Sequence, residues 1–495
     1  MNRRLFLVSV IHSVFSQYGD IMSAVLNLMN VPIKKFFNES ISSNYGPITG
    51  ETFEMVFSVS SSSMFVGLML GFAIMGPLMD KVGRKQTGVY IRGALAIFGS
   101  VCMVSSKLLN RCELYVLGHV IAGFVTAFKV VLIIYVAECS PDSYRGLISM
   151  AINSGAVVAV MVVTPFCLPA LLGTDDLWCF LPFLCAGMAI VHICLSSNFP
   201  QSPKQLYIQF DEEYEAQEAL EFYYDDEEEI DSKLIEMEME KKFHSGKTAS
   251  ILHVLKHKRD RKHLILVLIC AFVPVFSAVN IKIPYLVSLL ISFGLDQSSA
   301  TTAMIMINAA SLPVSFIAPY LINRFGRRPL FVGITILCAV EWLFFAFAQT
   351  MLDSGTQVQA VCWLSACFAA VIGQSAINLG LLIMSPILIS EICPHHTRAA
   401  ISQFTQVVPI AFAVINVALF PSYRATFGAS PFYIFSICCA VLAIALNLLM
   451  VTEKERNSTP AASLLHRRKS VTPPPSYGSL SSSSSSSSLL PVRSI

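Results

Sequence analysis

The chain has 495 residues, of which 54% are hydrophobic and 13% charged, with a formal net charge of +2. A soluble domain carries roughly 25% charged residues, so this composition excludes an ordinary water-soluble fold and describes a polytopic membrane protein. The small net charge, segregated by loop, excludes a nucleic-acid-binding surface. The 14 cysteines, nearly all inside apolar runs, read as packing residues and not as a disulfide scaffold or metal cluster.

Apolar runs near the roughly 20 residues that cross a bilayer number about twelve. The first six cover residues 5–28, 57–79, 87–108, 113–137, 147–170 and 177–196. Met1-Asn2-Arg3-Arg4 leads directly into the first run, which is too long for the core of a cleaved signal and is expected to be a spanning helix. The polar loop from about Pro32 to Thr52 carries the sequon Asn38-Glu39-Ser40. Between the second and third runs stands Gly76-Pro77-Leu78-Met79-Asp80-Lys81-Val82-Gly83-Arg84-Lys85. Glycine permits a tight reversal there, and Asp80 is expected to cap the following helix.

Residues 197–262 are hydrophilic, with an acidic block at Asp225-Asp226-Glu227-Glu228-Glu229 and a basic one from Lys256 to Lys262. Their periodicity suits short amphipathic helices or a solvated linker. Six more runs follow at 264–292, 299–322, 329–350, 359–389, 400–420 and 431–451. Asn323-Arg324-Phe325-Gly326-Arg327-Arg328 repeats the earlier turn about 240 residues on, which indicates duplication. After Val451 the tail holds Pro473-Pro474-Pro475 and a serine run from Ser481 to Ser488, a composition expected to be disordered.

Arg3, Arg4, Lys81, Arg84, Lys85, Arg145, Arg324, Arg327, Arg328 and Arg398 all fall on one side of the predicted spans. That side is expected to be cytoplasmic, with both termini and the central linker, so Asn38 is expected to be glycosylated outside. A second sequon, Asn457-Ser458-Thr459, lies in the tail and is expected to stay unmodified.

Further motifs follow the spans in a fixed order. Glu138-Cys139-Ser140-Pro141 with Arg145-Gly146 follows the fourth run and is echoed by Glu391-Ile392-Cys393-Pro394 with Arg398 after the tenth. Pro200-Gln201-Ser202-Pro203-Lys204 follows the sixth, and Thr452-Glu453-Lys454 closes the last. Together with the paired turns, these resemble the major facilitator superfamily, and within it the sugar-porter branch that includes the facilitative glucose transporters.

The resemblance implies an all-α polytopic membrane protein with twelve transmembrane helices in two six-helix halves, the major facilitator fold. The halves are expected at residues 1–196 and 263–451, with a linker at 197–262 and a tail at 452–495. It also implies a cytoplasmic gate of Asp80, Arg84, Glu138, Arg145, Arg327, Glu391, Arg398 and Glu453, pairing across the halves when the inner side is closed. Asn323, Gln201 and Lys204 depart from the branch pattern and thin that network.

The cavity departs further. Sugar porters bind hexose with two adjacent glutamines and an asparagine on the seventh helix. Here Pro274 and Val275 stand in the glutamine positions and only Asn280 remains. Asn153 replaces a glutamine on the fifth helix, and Pro386 stands where the branch has a tryptophan on the tenth. A hexose needs many directed hydrogen bonds to offset its desolvation, so ordinary glucose binding is not expected.

Other polar residues lie inside the apolar runs. Lys129, Gln374 and Asn378 join Asn280 and Asn153 as candidate substrate contacts. Asp20 and His119, with Lys129, are expected to form a buried titrating cluster that couples transport to protons or to substrate charge. Each has a plainer reading as a helix-packing group. Glu341, on a helix that is peripheral in the branch, has no assigned role.

The expected function is a solute carrier for a sugar or related small polar solute, facilitated or proton-coupled. The alternatives are an organic-anion carrier of the same fold and a transporter-like sensor or receptor. No nucleophile and base constellation suggests an enzyme, and no cofactor or metal is expected. The expected partners are the solute, the lipid bilayer and cytoplasmic regulators of the tail, with the plasma membrane as location.

Overall fold

The computed structural model describes residues 2–243, 251–355, 359–382, 384, 393 and 395–449, with the backbone alone given at some helical positions, Asn323, Arg327 and Arg398 among them. Every regular element among these residues is a helix, and 10 helical segments are long and apolar enough to cross a membrane. The chain is a multi-pass membrane protein. This follows from physics: a backbone in lipid must satisfy its own hydrogen bonds, and a helix does so within one segment.

The first predicted span is two helices, α1 (Arg3–Phe15) and α2 (Tyr18–Leu28). The break has a side-chain cause. Ser16 Oγ donates back to His12 O, and the Gln17 amide donates to Ser13 O at 2.8 Å and to Ile152 O at 3.0 Å. Polar side chains thus compete with the helical ladder. Arg92 Nη2 donates to the Ser16 carbonyl at the break, at 2.8 Å.

The expected loop after this span is largely a helix, α3 (Asn30–Tyr45). Its Ile33, Phe36, Phe37 and Ile41 recur at helical spacing and pack on Tyr115 and Trp178. Then come α4 (Gly50–Val82), a π-helical turn leading into α5 (Arg92–Leu109), α6 (Cys112–Glu138), α7 (Asp142–Val163) and α8 (Phe180–Ser196). Asp80 lies in the last turn of α4 and does not cap the next helix, because α4 runs on to Gly83, whose φ of 119° ends it. Gln205 Oε1 caps instead, accepting from Arg84 N at 2.8 Å.

Four short helices follow: α9 (Pro203–Gln205), α10 (Glu213–Tyr223), α11 (Glu227–Phe243) and α12 (Ile251–Lys256). The next predicted span is again broken, into α13 (Lys258–Phe276) and α14 (Val279–Ser292). Ser277 Oγ turns back to Pro274 O at 2.9 Å, and Ala278 takes a left-handed φ of 50°. The remaining helices are α15 (Gln297–Phe325), α16 (Arg327–Asp353), α17 (Gln359–Asn378), α18 (His395–Phe427) and α19 (Ser430–Leu449). Asp296 accepts from the N–H groups of Ser298 and Ser299 ahead of α15, and the Ser299 side chain first, with these N–H groups after it, holds its carboxyl below the usual range.

Small residues set the closest helix approach. A Cβ at Gly67 of α4 would lie 1.8 Å from Val120 O, and one at Gly123 of α6 would lie 2.1 Å from Met64 O. With no hydrophobic drive between helices in lipid, such backbone contact is the main source of attraction. Two core clusters draw only on residues before 238, and two others only on residues after 253. The groups meet where α4 runs along α18, with Ser58 Oγ donating to Ala418 O at 2.8 Å and Gln403 Nε2 to Ala73 O at 2.7 Å. At the end away from the Gly83 turn, Asn27 Oδ1 of α2 accepts from Val287 N of α14 at 3.0 Å. That contact joins α2 to α14 there.

Candidate functional site

Two charged side chains, Lys129 of α6 and Arg92 of α5, are brought by neighbouring helices to the α1–α2 break, where α2 itself supplies Asp20. Lys129 of α6 donates to Asp20 Oδ2 at 2.7 Å and to Gln17 Oε1 at 2.8 Å. Lys129 keeps 9% of its side chain exposed and Asp20 keeps 23%, so the carboxylate is the member reached by water or solute. Gln17 also reaches Ile152 of α7, so this tract ties three helices.

Arg92, wholly buried, donates to Val125 O and Ser16 O, each at 2.8 Å, and lies over the Tyr18 ring at 4.5 Å. Its Nη1 has no partner among the described residues. Beside it His12 and His192 share a 2.9 Å contact, and His192 faces the Tyr18 hydroxyl at 3.4 Å.

His119 does not join Asp20 and Lys129. It contacts Ser63 Oγ at 3.0 Å and the Tyr115 ring. The reason is helical rise: ten residues along α6 separate it from Lys129 by about 15 Å. The expected three-membered cluster is therefore Asp20 and Lys129 with Gln17, a residue the sequence reading passed over.

The other candidate contacts are half-buried. Asn153 Nδ2 donates along its own helix to Ser149 O at 3.2 Å. Asn378 Nδ2 donates to Ser311 O at 2.9 Å, which staples α17 to α15, while its Oδ1 is buried without a partner among the described residues. Asn280 lies in the first turn of α14, and Gln374 lies one turn before Asn378 on α17. Pro386 lies outside the described residues.

At the basic end, the first-half gate residues bond among themselves. Arg84 Nε stands 3.3 Å from Glu138 Oε2, Ser202 Oγ donates to Glu138 at 2.5 Å, and Arg145 Nε donates to Ala137 O at 3.0 Å. Gln209 bonds both Arg84 and Asp80. The network therefore clamps the ends of α4 and α6 to the segment from Ser202 to Gln209 and ties α7 to α6. Lys85, also unassigned from sequence, donates to Ser197 O at 3.1 Å and Phe199 O at 2.5 Å, where a cation meets the carbonyl end of α8. Glu391 and Glu453 lie outside the described residues, as do the side chains of Arg327 and Arg398.

Removing this clamp has an expected effect. Glu138→Gln should cost about 1–2 kcal/mol, since it takes the charge from an ion pair and from a hydrogen bond. Cysteine accessibility at the basic end should rise with melting temperature nearly unchanged. Wild-type accessibility would leave these residues as loop packing only.

A second buried ion pair has no counterpart in the sequence reading. Lys282 of α14 donates to both carboxylate oxygens of Glu341 on α16, at 2.7 and 2.9 Å. The signal was present as two opposite charges, each isolated in its own apolar run. His253, His257 and Asp260 also bring ligand-type atoms within 4.8 Å of one another. The same stretch carries Lys256, Lys258, Arg261 and Lys262, whose charges repel a cation.

A bundle of broken apolar helices around intramembrane charged pairs, with a motif-built clamp at one end, defines a solute carrier. The pattern of the family "Sugar (and other) transporter" matches residues 8–459, and the chain belongs to that family. The mouse solute carrier family 2, facilitated glucose transporter member 7, is 24% identical over 447 residues, covering 90% of this chain and 86% of that protein. The human member 5 is 25% identical over 464 residues, covering 91% and 89%. The inward-open xylose transporter XylE from E. coli has a TM-score of 0.72 at 16% identity, covering 93% of this chain and 99% of its own, a likeness of fold. The protein is a transmembrane transporter of the sugar-porter branch of the major facilitator superfamily, and not an enzyme.

Proposed function

We propose that this carrier moves a sugar or related small polar, uncharged solute by alternating access. The observation that carries the reading is the Asp20–Lys129–Gln17 tract. Two of the ammonium's donors are already taken by Asp20 and Gln17. An organic anion would have to displace that carboxylate, whereas a hydroxylated solute bonds to its exposed face. Half-buried amides at Asn153, Asn280, Gln374 and Asn378 supply further donors and acceptors. Relatives named as facilitated glucose transporters, and a fold neighbour named as a xylose transporter, support the same class. His119 serves as a packing group, and Asp20 is the proton-coupling candidate.

The architecture that fits this role has twelve spans. Phe180–Ser196 and Gln297–Phe325 join the ten long apolar segments. Two six-helix halves, 1–196 and 263–451, rock about the midplane, with 197–262 as the cytoplasmic linker and 452–495 as a cytoplasmic tail open to regulators. The Asn27–Val287 contact suits a state closed to the outside. Arg327, Glu391, Arg398 and Glu453 are the second-half gate partners, to be engaged when the inner side closes.

Counterflow in proteoliposomes, run across hexoses, pentoses, polyols and organic anions, tests the substrate class. Exchange of organic anions alone would overturn it, and binding without any exchange would favour a sensor. D-Glucose should exchange poorly. Two amide hydrogen-bond partners are missing at Pro274 and Val275, each worth about 1–1.5 kcal/mol, so affinity should fall roughly 30- to 150-fold below that of a pocket holding both.

Sidedness is tested at Asn38. It is exposed on α3, and at the plasma membrane it should carry a glycan. Enzymatic deglycosylation should shift the mobility of the wild-type chain and leave Asn38→Gln unmoved. A glycan on Asn457 instead would invert the topology.

A further inference from the structure

The broken helix α13–α14 is held at three successive points by the helices behind it. Cys439 Sγ of α19 donates to Phe276 O at 3.4 Å, and Trp342 Nε1 of α16 donates to Ser277 O at 2.7 Å. One turn further on, Lys282 meets Glu341, with side chains 6% and 0% exposed. The carboxylate lies directly against Gly373 of α17. A Cβ at Gly373 would lie 1.9 Å from Glu341 Oε1.

Two residues along a helix turn the side chain by about 200°, so Asn280 faces away from α16 because Lys282 faces toward it. The far end of the same short helix carries Val287, whose N–H bonds Asn27 across the bundle. Opening that end requires α14 to leave α2. Separating Lys282 from Glu341 in lipid would strand two charges, so the root of α14 stays with α16 while its tip moves.

We propose that Lys282 and Glu341 are positioning residues: their pair fixes the pivot of α14, orients Asn280 toward the solute path and sets how readily the Asn27–Val287 contact opens. The Asn280 part rests on the carrier reading above. The pivot does not depend on which solute is carried.

The test uses the full-length protein in proteoliposomes without solute. A membrane-impermeant maleimide is applied to both sides, and mass spectrometry reads labelling at Asn280→Cys or at Val287→Cys. Lys282→Met/Glu341→Met removes both charges, a change that buried pairs often tolerate, and Lys282→Glu/Glu341→Lys inverts them. In the apolar double variant, labelling should change by at least about fivefold at each position, rising at 287 and falling at 280. The inverted pair should label as the wild type does, and it decides the matter alone if the apolar variant does not fold. A change below about twofold at either position in the folded apolar variant, or wild-type geometry lost in a folded inverted pair, would overturn the proposal. Because no solute is added, a wrong substrate class would leave this result standing.

Discussion

Lys129→Met should disable the carrier while leaving it assembled in the membrane. The substitution keeps the unbranched stem of the side chain, one atom shorter, but strands Asp20 and the Gln17 carbonyl oxygen, which both accept from the Lys129 ammonium. A fully enclosed pair broken this way costs about 3–5 kcal/mol; because 23% of the Asp20 side chain remains exposed and can hydrate, about 2–3 kcal/mol is expected here. Exchange should drop by more than about tenfold, since 1.4 kcal/mol is already a factor of ten. Adding Asp20→Asn should recover stability, because no charge is then left unpaired, but not transport. If the wild-type rate varies between about pH 5.5 and 8, Asp20→Asn should flatten it. Lys129→Met with normal exchange on every solute would reduce the tract to helix packing.

Gly67→Ala should be the most damaging added methyl group among the described glycines. Its Cβ would sit 1.8 Å from a backbone oxygen, where ordinary contacts need well over 3 Å, and the obstructing atom belongs to α6 itself. No rotamer change relieves that. The helices must separate, and Gly123 on the facing helix loses its close approach to Met64 in the same movement. A cost of about 3 kcal/mol or more is expected, at the upper end of overpacking effects. Melting in detergent and the monodisperse fraction on gel filtration measure it directly. A variant that melts with the wild type would mean that α4 and α6 are not pressed together as described. Gly67→Ala and Gly123→Ala should not add, because each opens the same seam.

The sequence by itself determined the class and much of the layout. Apolar runs of spanning length, basic residues concentrated in the turns on one side and two copies of a glycine-basic turn are local signals, and local signals survive in a linear chain. The motifs that carry Arg84 and Glu138 were also legible from their fixed spacing, whereas the hydrogen bond from Ser202 to Glu138 appears only in the fold.

What the sequence left open depends on how helices are rotated and broken against one another. The first span and the seventh predicted span each read as one run, yet Ser16 and Gln17 in one, and Ser277 in the other, turn polar groups back onto the backbone. Donors from distant helices, Arg92 and Trp342, then meet the carbonyls at the breaks. His119 and Lys129 look like neighbours of Asp20 in a list of buried polar residues, but only Lys129 lies at its height. Lys282 and Glu341 stand 59 positions apart, each an unexplained charge until α14 and α16 pack and Gly373 leaves room for the carboxylate. A charge in lipid is tolerable only beside its partner, and that partner is chosen by the packing of the bundle.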